Sequence, residues 1–110
     1  MYKQADIVVV KFPFTDGSEF KKRPALVVSN AIVNNTGDYL LVQITSKTNN
    51  DGLSIPIEEA DSLHVLPLKS YLRAHKIFTV HKSLILYKIT EVKPDFLTLV
   101  VSRIFALFAH

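Results

Sequence analysis

Apolar and polar residues divide this chain into short blocks separated by turn signals. Residues 7–12 (Ile-Val-Val-Val-Lys-Phe) form a run of β-branched and aromatic residues that predicts a strand. Pro13 ends it or holds it at a sheet edge, because proline has no N–H to give to a ladder. After a polar loop containing Gly17-Ser18-Glu19, residues 25–29 (Ala-Leu-Val-Val-Ser) predict the partner strand of a hairpin. The cluster Asn34-Asn35-Thr36-Gly37-Asp38 predicts a turn, since Asn and Gly accept positive φ. Residues 39–45 are almost continuously apolar and predict a third, central strand buried on both faces.

Residues 48–52 form a second polar loop, and residues 53–57 alternate around Pro56, as a short edge strand does. Residues 70–74, 77–81 and 86–92 predict further strands. Many short strands at close intervals point to a small barrel or curled sheet. The end of the chain changes period. Pro94 suits a first helical turn and Asp95 complements the positive end of the helix dipole. Leu97, Val100, Val101, Ile104 and Phe108 then recur at helical spacing. Phe96, Leu99, Phe105 and Leu107 widen the apolar stripe beyond one face, so the helix either packs wholly into the core or touches a subunit or partner as well. The fold class is therefore mainly β with a C-terminal helix (α+β).

At 110 residues the chain fits a single domain spanning residues 1–110, and 48% apolar residues are enough for a core. The net charge of +3 permits a polyanionic partner without demanding one. The distribution says more. Residues 62–90 contain no acid but include Lys69, Arg73, Lys76, Lys82 and Lys88. They read either as an ordinary solvated surface or as a phosphate-binding face that joins Lys21, Lys22 and Arg23. With no cysteine, disulfides, thiolate metal sites and thiol catalysis are excluded. The N-terminus lacks the apolar core of a signal peptide, and no apolar run is long enough to span a bilayer. A cytoplasmic location is expected.

Two elements carry candidate chemistry. Arg23 follows Lys21-Lys22 and precedes Pro24, which stiffens the backbone at the strand entrance. A guanidinium held there can grip a phosphate through two parallel hydrogen bonds and stabilise charge developing on it. Thr45-Ser46-Lys47 closes the central strand. A hydroxyl is too weak a base to take a proton, so Thr45 and Ser46 would act by hydrogen bonding to a phosphate oxygen or an attacking hydroxyl. Phe20 and Tyr71 offer stacking faces for unpaired bases, and Lys47, Asn49 and Asn50 offer polar contacts. Glu19 either serves as a base or pairs with Lys21 or Lys22. His64, His75, His81 and His110 show no metal-ligand spacing, and His75 and His81 read as surface residues.

These residues together resemble the MazF/PemK family, the endoribonuclease toxins of bacterial toxin–antitoxin pairs. The resemblance lies in the hairpin with Gly-Ser-Glu, Arg23-Pro24 and the Val-rich strand, then in Gln43-Ile44-Thr45-Ser46-Lys47, and runs on through residues 68–80. It implies an SH3-like barrel of the CcdB/MazF/PemK type. It also implies that Arg23 and Thr45, with Ser46 beside them, are catalytic, and that Glu19, Phe20, Lys21, Lys22, Lys47, Lys69, Tyr71 and Arg73 bind RNA. The implied reaction is cleavage of single-stranded RNA by the neighbouring 2′-hydroxyl, with no metal or cofactor. Its products are 2′,3′-cyclic phosphate and 5′-hydroxyl ends. The implied partners are a homodimeric mate and a cognate antitoxin that blocks the basic groove with an acidic segment.

The sequence departs from the family at Lys69-Ser70, where MazF proper carries an acid and Gln, and at His75 and His81, where Asp is common in the PemK-like branch. Two other readings share the fold: a CcdB-like toxin that binds gyrase and cleaves nothing, and an RNA-binding module without turnover.

Overall fold

The computed structural model describes residues 1–13 and 20–110. Its order is β1 (Asp6–Pro13), β2 (Phe20–Val27), a short helix α1 (Ala31–Asn34), β3 (Asp38–Thr45), β4 (Ser54–Ile57), β5 (Ser70–His81), β6 (Ile85–Glu91) and the helix α2 (Pro94–Ala106). The strands form one six-stranded sheet in the order β4-β5-β3-β2-β1-β6. Every ladder in it is antiparallel. The sheet curls without closing. Its two edge strands, β4 and β6, are not paired, and a single bridge from Ser62 to Val92 spans part of the gap.

The sheet is buried on both faces, which explains the nearly continuous apolar runs of β1 and β3. One face gathers Ile7, Leu26, Val42, Ile44, Ile55, Ile57 and Leu72 beneath Phe96 and Val100 of α2. The other gathers Val8, Val10, Ala25, Val27, Tyr39, Leu41, Val80 and Ile85. Neighbours in register share a face, as Ile7, Leu26 and Val42 do across β1, β2 and β3. Each large aliphatic side chain buried in this way contributes about 1.5–3 kcal/mol.

Three elements differ from the sequence reading. Strand β2 begins at Phe20 rather than Ala25, because Phe20, Lys21, Lys22 and Arg23 pair with Pro13, Phe12, Lys11 and Val10. The basic triplet thus lies in the ladder and not in the loop. Residues 70–74 and 77–81 are one strand, with a register break between the Val42–Ile77 and Ile44–Leu72 pairs that absorbs four residues of β5. Helix α1 was not predicted. Asn30 caps it by accepting from the Ile32 N–H at 3.0 Å, and buried Asn34 ties it to Ser29. Helix α2 starts at Pro94 as predicted, and only Phe96 and Val100 of it are fully buried.

Candidate RNA-cleaving cleft

Where the β2–β3 pairing ends, the middle of β2 and the end of β3 build the candidate site. The two strands pair as Ala25–Gln43, Leu26–Val42 and Val27–Leu41. Arg23 and Thr45 lie two residues further along their strands, at the same level of this antiparallel register. Both line a cleft of about 190 Å3 with Lys22, Pro24, Ser46 and Ser70. Its opposite wall comes from Leu66, Pro67 and Leu68, in the segment between β4 and β5. This wall had no periodic signal in the sequence and was missed there. The apolar cluster Leu66-Pro67-Leu68 without a strand or helix period was the available clue.

Arg23 is half-buried, and among the described residues its guanidinium is in no ion pair. Thr45 is half-buried too. Its Oγ1 accepts the Lys47 backbone N–H at 3.2 Å. That bond uses an acceptor lone pair and leaves the hydroxyl proton free to donate. Ser46 is exposed beside it. Tyr71 pairs directly with Thr45 across the β3–β5 ladder, so both side chains lie on one face of the sheet.

A positive patch adjoins the cleft. Lys11 and Lys22 are direct cross-strand partners, flanked by Lys21 and Arg23. Like charges placed opposite each other destabilise a ladder. None of these four is in an ion pair among the described residues, and a polyanion laid across Lys11 and Lys22 would relieve the repulsion of that pair. Phe20 is 62% exposed, with the Lys11 ammonium 5.7 Å from its ring centre. An aromatic face beside cations suits a stacked base. Lys11 was not singled out from sequence, and only the β1–β2 register reveals it.

Other expected RNA contacts stand differently. Lys69 is exposed and pairs loosely with Glu58 at 3.8 Å. Lys47 is exposed in the loop after β3. Arg73 is not placed to meet RNA. It is 8% exposed and makes a two-pronged pair with Asp51, Nη1 to Oδ1 at 3.0 Å and Nη2 to Oδ2 at 2.7 Å. Its Nη1 also donates to Ser54 Oγ at 2.8 Å. Lys88 is held by Asp6 at 3.1 Å. With Lys69, Arg73 and Lys88 in ion pairs, residues 62–90 do not form one uncompensated basic face. Glu19 lies outside the described residues.

No His, Asp or Glu among the described residues lines the cleft. His81 accepts the Ser83 N–H at 3.2 Å and caps a short turn, and His75 is exposed in β5. Among the described residues no group of three or more His, Cys, Asp and Glu is arranged to hold a metal. No described helix is long and apolar enough to cross a membrane.

Residues 3–108 match the family model of the PemK-like, MazF-like toxins of type II toxin–antitoxin systems. The chain belongs to this family. No curated protein matches its sequence closely enough to count as a relative. Solved structures of MazF-like toxins share the fold. A MazE–MazF complex from Deinococcus radiodurans superposes with a TM-score of 0.79 at 21% identity, over 97% of this chain and 95% of that one. A mycobacterial endoribonuclease in complex with its cognate antitoxin gives 0.75 at 20% identity, over 97% of both chains. The Mycobacterium tuberculosis toxin MazF-mt6 gives 0.73 at 15% identity, over 94% of this chain and 95% of that one. This MazF-like toxin therefore keeps the family's sheet and C-terminal helix at low sequence identity.

Proposed function

We propose that this chain is a single-domain endoribonuclease toxin that cleaves single-stranded RNA without a metal or cofactor. One observation carries the reading: Arg23 and Thr45 line one cleft beside Lys11, Lys21 and Lys22, which make no ion pair among the described residues. In the proposed reaction the 2′-oxygen attacks the adjacent phosphorus while the bond from phosphorus to the 5′-oxygen breaks. The 2′-hydroxyl gives up a proton and the departing 5′-oxygen gains one. A cyclic phosphate and a 5′-hydroxyl result. DNA, lacking the 2′-hydroxyl, cannot follow this route.

Arg23 would clamp two phosphate oxygens and stabilise the charge that builds on them. Thr45, with one acceptor lone pair occupied by the Lys47 amide, would donate to a phosphate oxygen or orient the attacking hydroxyl. Ser46 would assist from the exposed rim. Phe20 and Tyr71 would stack on bases, and Lys21, Lys22, Lys47 and Lys69 would hold the backbone.

The protein would act in the cytoplasm as a homodimer and be silenced by an acidic antitoxin segment laid over the same cations. Incubation of purified protein with mixed single-stranded RNA and EDTA, with Arg23→Ala alongside, tests the reading. Cyclic-phosphate fragments from the wild type alone are expected. Intact RNA in both samples, with the protein folded, would sink it.

A further inference from the structure

We infer that Arg73 is a positioning residue for base selection: its clamp on Asp51 fixes the loop after Thr45 as a rigid reader of the RNA strand. This rests on the ribonuclease reading proposed above. The loop runs over residues 46–52, and its residues are all exposed. It leaves β3 at Thr45, whose Oγ1 takes the Lys47 N–H. It is caught at its far end by Arg73 through two nearly parallel hydrogen bonds to Asp51.

Several bonds make that catch stiff. Asp51 Oδ1 also accepts the Leu53 N–H at 3.1 Å, closing the turn on itself. The Leu53 carbonyl accepts the Ala74 N–H at 2.9 Å, next to Arg73 in β5. Ser54 Oγ takes another guanidinium proton. Arg73 is itself buried, so its orientation is set by the sheet and not by solvent. A forked, planar guanidinium fixes direction as well as distance, which a lysine ammonium does not.

The residues held between the two anchors are Ser46, Lys47, Thr48, Asn49 and Asn50. Among the described residues the side chains of Thr48, Asn49 and Asn50 make no hydrogen bond. Two amides, each with donors and an acceptor, suit the hydrogen-bonding edge of a splayed base. They follow Ser46 of the cleft lining and lie within five residues of Thr45, a reach of at most about 17 Å, so a base read by them belongs to the stretch of RNA that flanks the scissile phosphate. Base discrimination requires such groups to be fixed before the base arrives, because an unanchored loop must be ordered at the expense of binding.

The test is cleavage of a randomised single-stranded RNA by wild type, Asp51→Asn, Arg73→Gln, Arg73→Lys and Arg23→Ala, with fragment ends mapped by sequencing and rates measured on single substrates. Asp51 is at the surface, so Asp51→Asn is expected to fold even if Arg73→Gln does not. For Asp51→Asn the preference between the favoured and next-best base beside the cut is expected to fall about tenfold, the scale of one lost base-edge contact. Cleavage at the permissive sequence stays within a few-fold of wild type, so the loss appears as altered selectivity and not as lost turnover. Arg73→Lys restores part of the preference. An unchanged cleavage motif in folded Asp51→Asn would overturn the inference while leaving the ribonuclease intact. No cleavage by the wild type would overturn both, and Arg23→Ala cutting like wild type would remove the cleft from the argument and the inference with it.

Discussion

Arg23 and Thr45 stand at one level of adjacent strands, each two residues past the paired Ala25 and Gln43, and they line the same cleft. The sheet therefore fixes their separation, and neither depends on a loop for its place. Arg23 is half-buried, two residues beyond the last β2–β3 pair, and its guanidinium makes no ion pair among the described residues, so its removal leaves no buried partner unsatisfied. Arg23→Ala is expected to slow cleavage by about 10²–10³-fold, the usual effect of losing one charge-stabilising donor. Stability should change by no more than about 0.5 kcal/mol. Arg23→Lys keeps the charge, loses the fork and should fall between. Initial rates with EDTA, read beside thermal melts, check this; a folded Arg23→Ala protein cutting at the wild-type rate would relocate the site.

The Thr45 hydroxyl has a defined orientation because its oxygen accepts from the Lys47 amide. Thr45→Ser keeps both the acceptor and the donor and should retain most activity. Thr45→Val keeps the shape without the hydroxyl and should lose about a hundredfold, in line with the loss of one oriented donor. Ser46 is exposed nearby and can partly replace it, so Thr45→Val with Ser46→Ala should lose more than either alone. Single-turnover rates separate these cases. Equal rates for Thr45→Val and wild type would leave Thr45 a structural residue.

The strands and the final helix were legible in the sequence because each carries a strong local signal. Residues 7–12 and 39–45 are β-branched or continuously apolar, and Pro94-Asp95 marks a helix start. What was not legible depends on pairing. The cross-strand match of Lys11 with Lys22 is set by the hairpin register, which no local pattern specifies. Arg73 looked like an RNA contact because it stands in an acid-free run. Its partner is Asp51, 22 residues earlier, and only the β4–β5 pairing brings the two together. The cleft wall at Leu66–Leu68 was hidden for the same reason, since an irregular segment has no period to read.

Helix α2 leaves a specific apolar surface open. Phe105 is 70% exposed and Leu99 41% exposed on this helix, and Phe108, in the turn that follows its end at Ala106, is 72% exposed. Large apolar side chains left this exposed mark a surface that a partner covers. A second copy of the chain is the expected cover. Phe105→Glu places a charge in that contact and should convert a dimer to a monomer while the melting temperature of the isolated fold stays near its wild-type value. Sedimentation velocity at micromolar concentrations measures it. A dimeric Phe105→Glu protein would move the interface elsewhere.

Acid sensitivity should follow two carboxylates. The Arg73 guanidinium holds Asp51 well below its ordinary value of 3.8, and the Lys3 ammonium holds Glu91 below its ordinary 4.5. Between the folded and ordinary values the unfolded chain binds more protons, so stability rises with pH in that window. The contribution is complete above the ordinary values and is lost as pH falls through the folded ones. Melting temperature should therefore be flat at neutral pH and drop as pH falls below about 4.5, with Glu91 protonating before Asp51. Salt should weaken the Lys3–Glu91 share more, because the Lys3 side chain is 63% exposed whereas that of Arg73 is buried. Asp51→Asn should flatten the lowest part of the acid limb and Glu91→Gln its upper part. An Asp51→Asn protein with an unchanged acid limb would mean that the Arg73 pair is no tighter in the folded chain than in the unfolded one, and the loop it anchors would then be free to move.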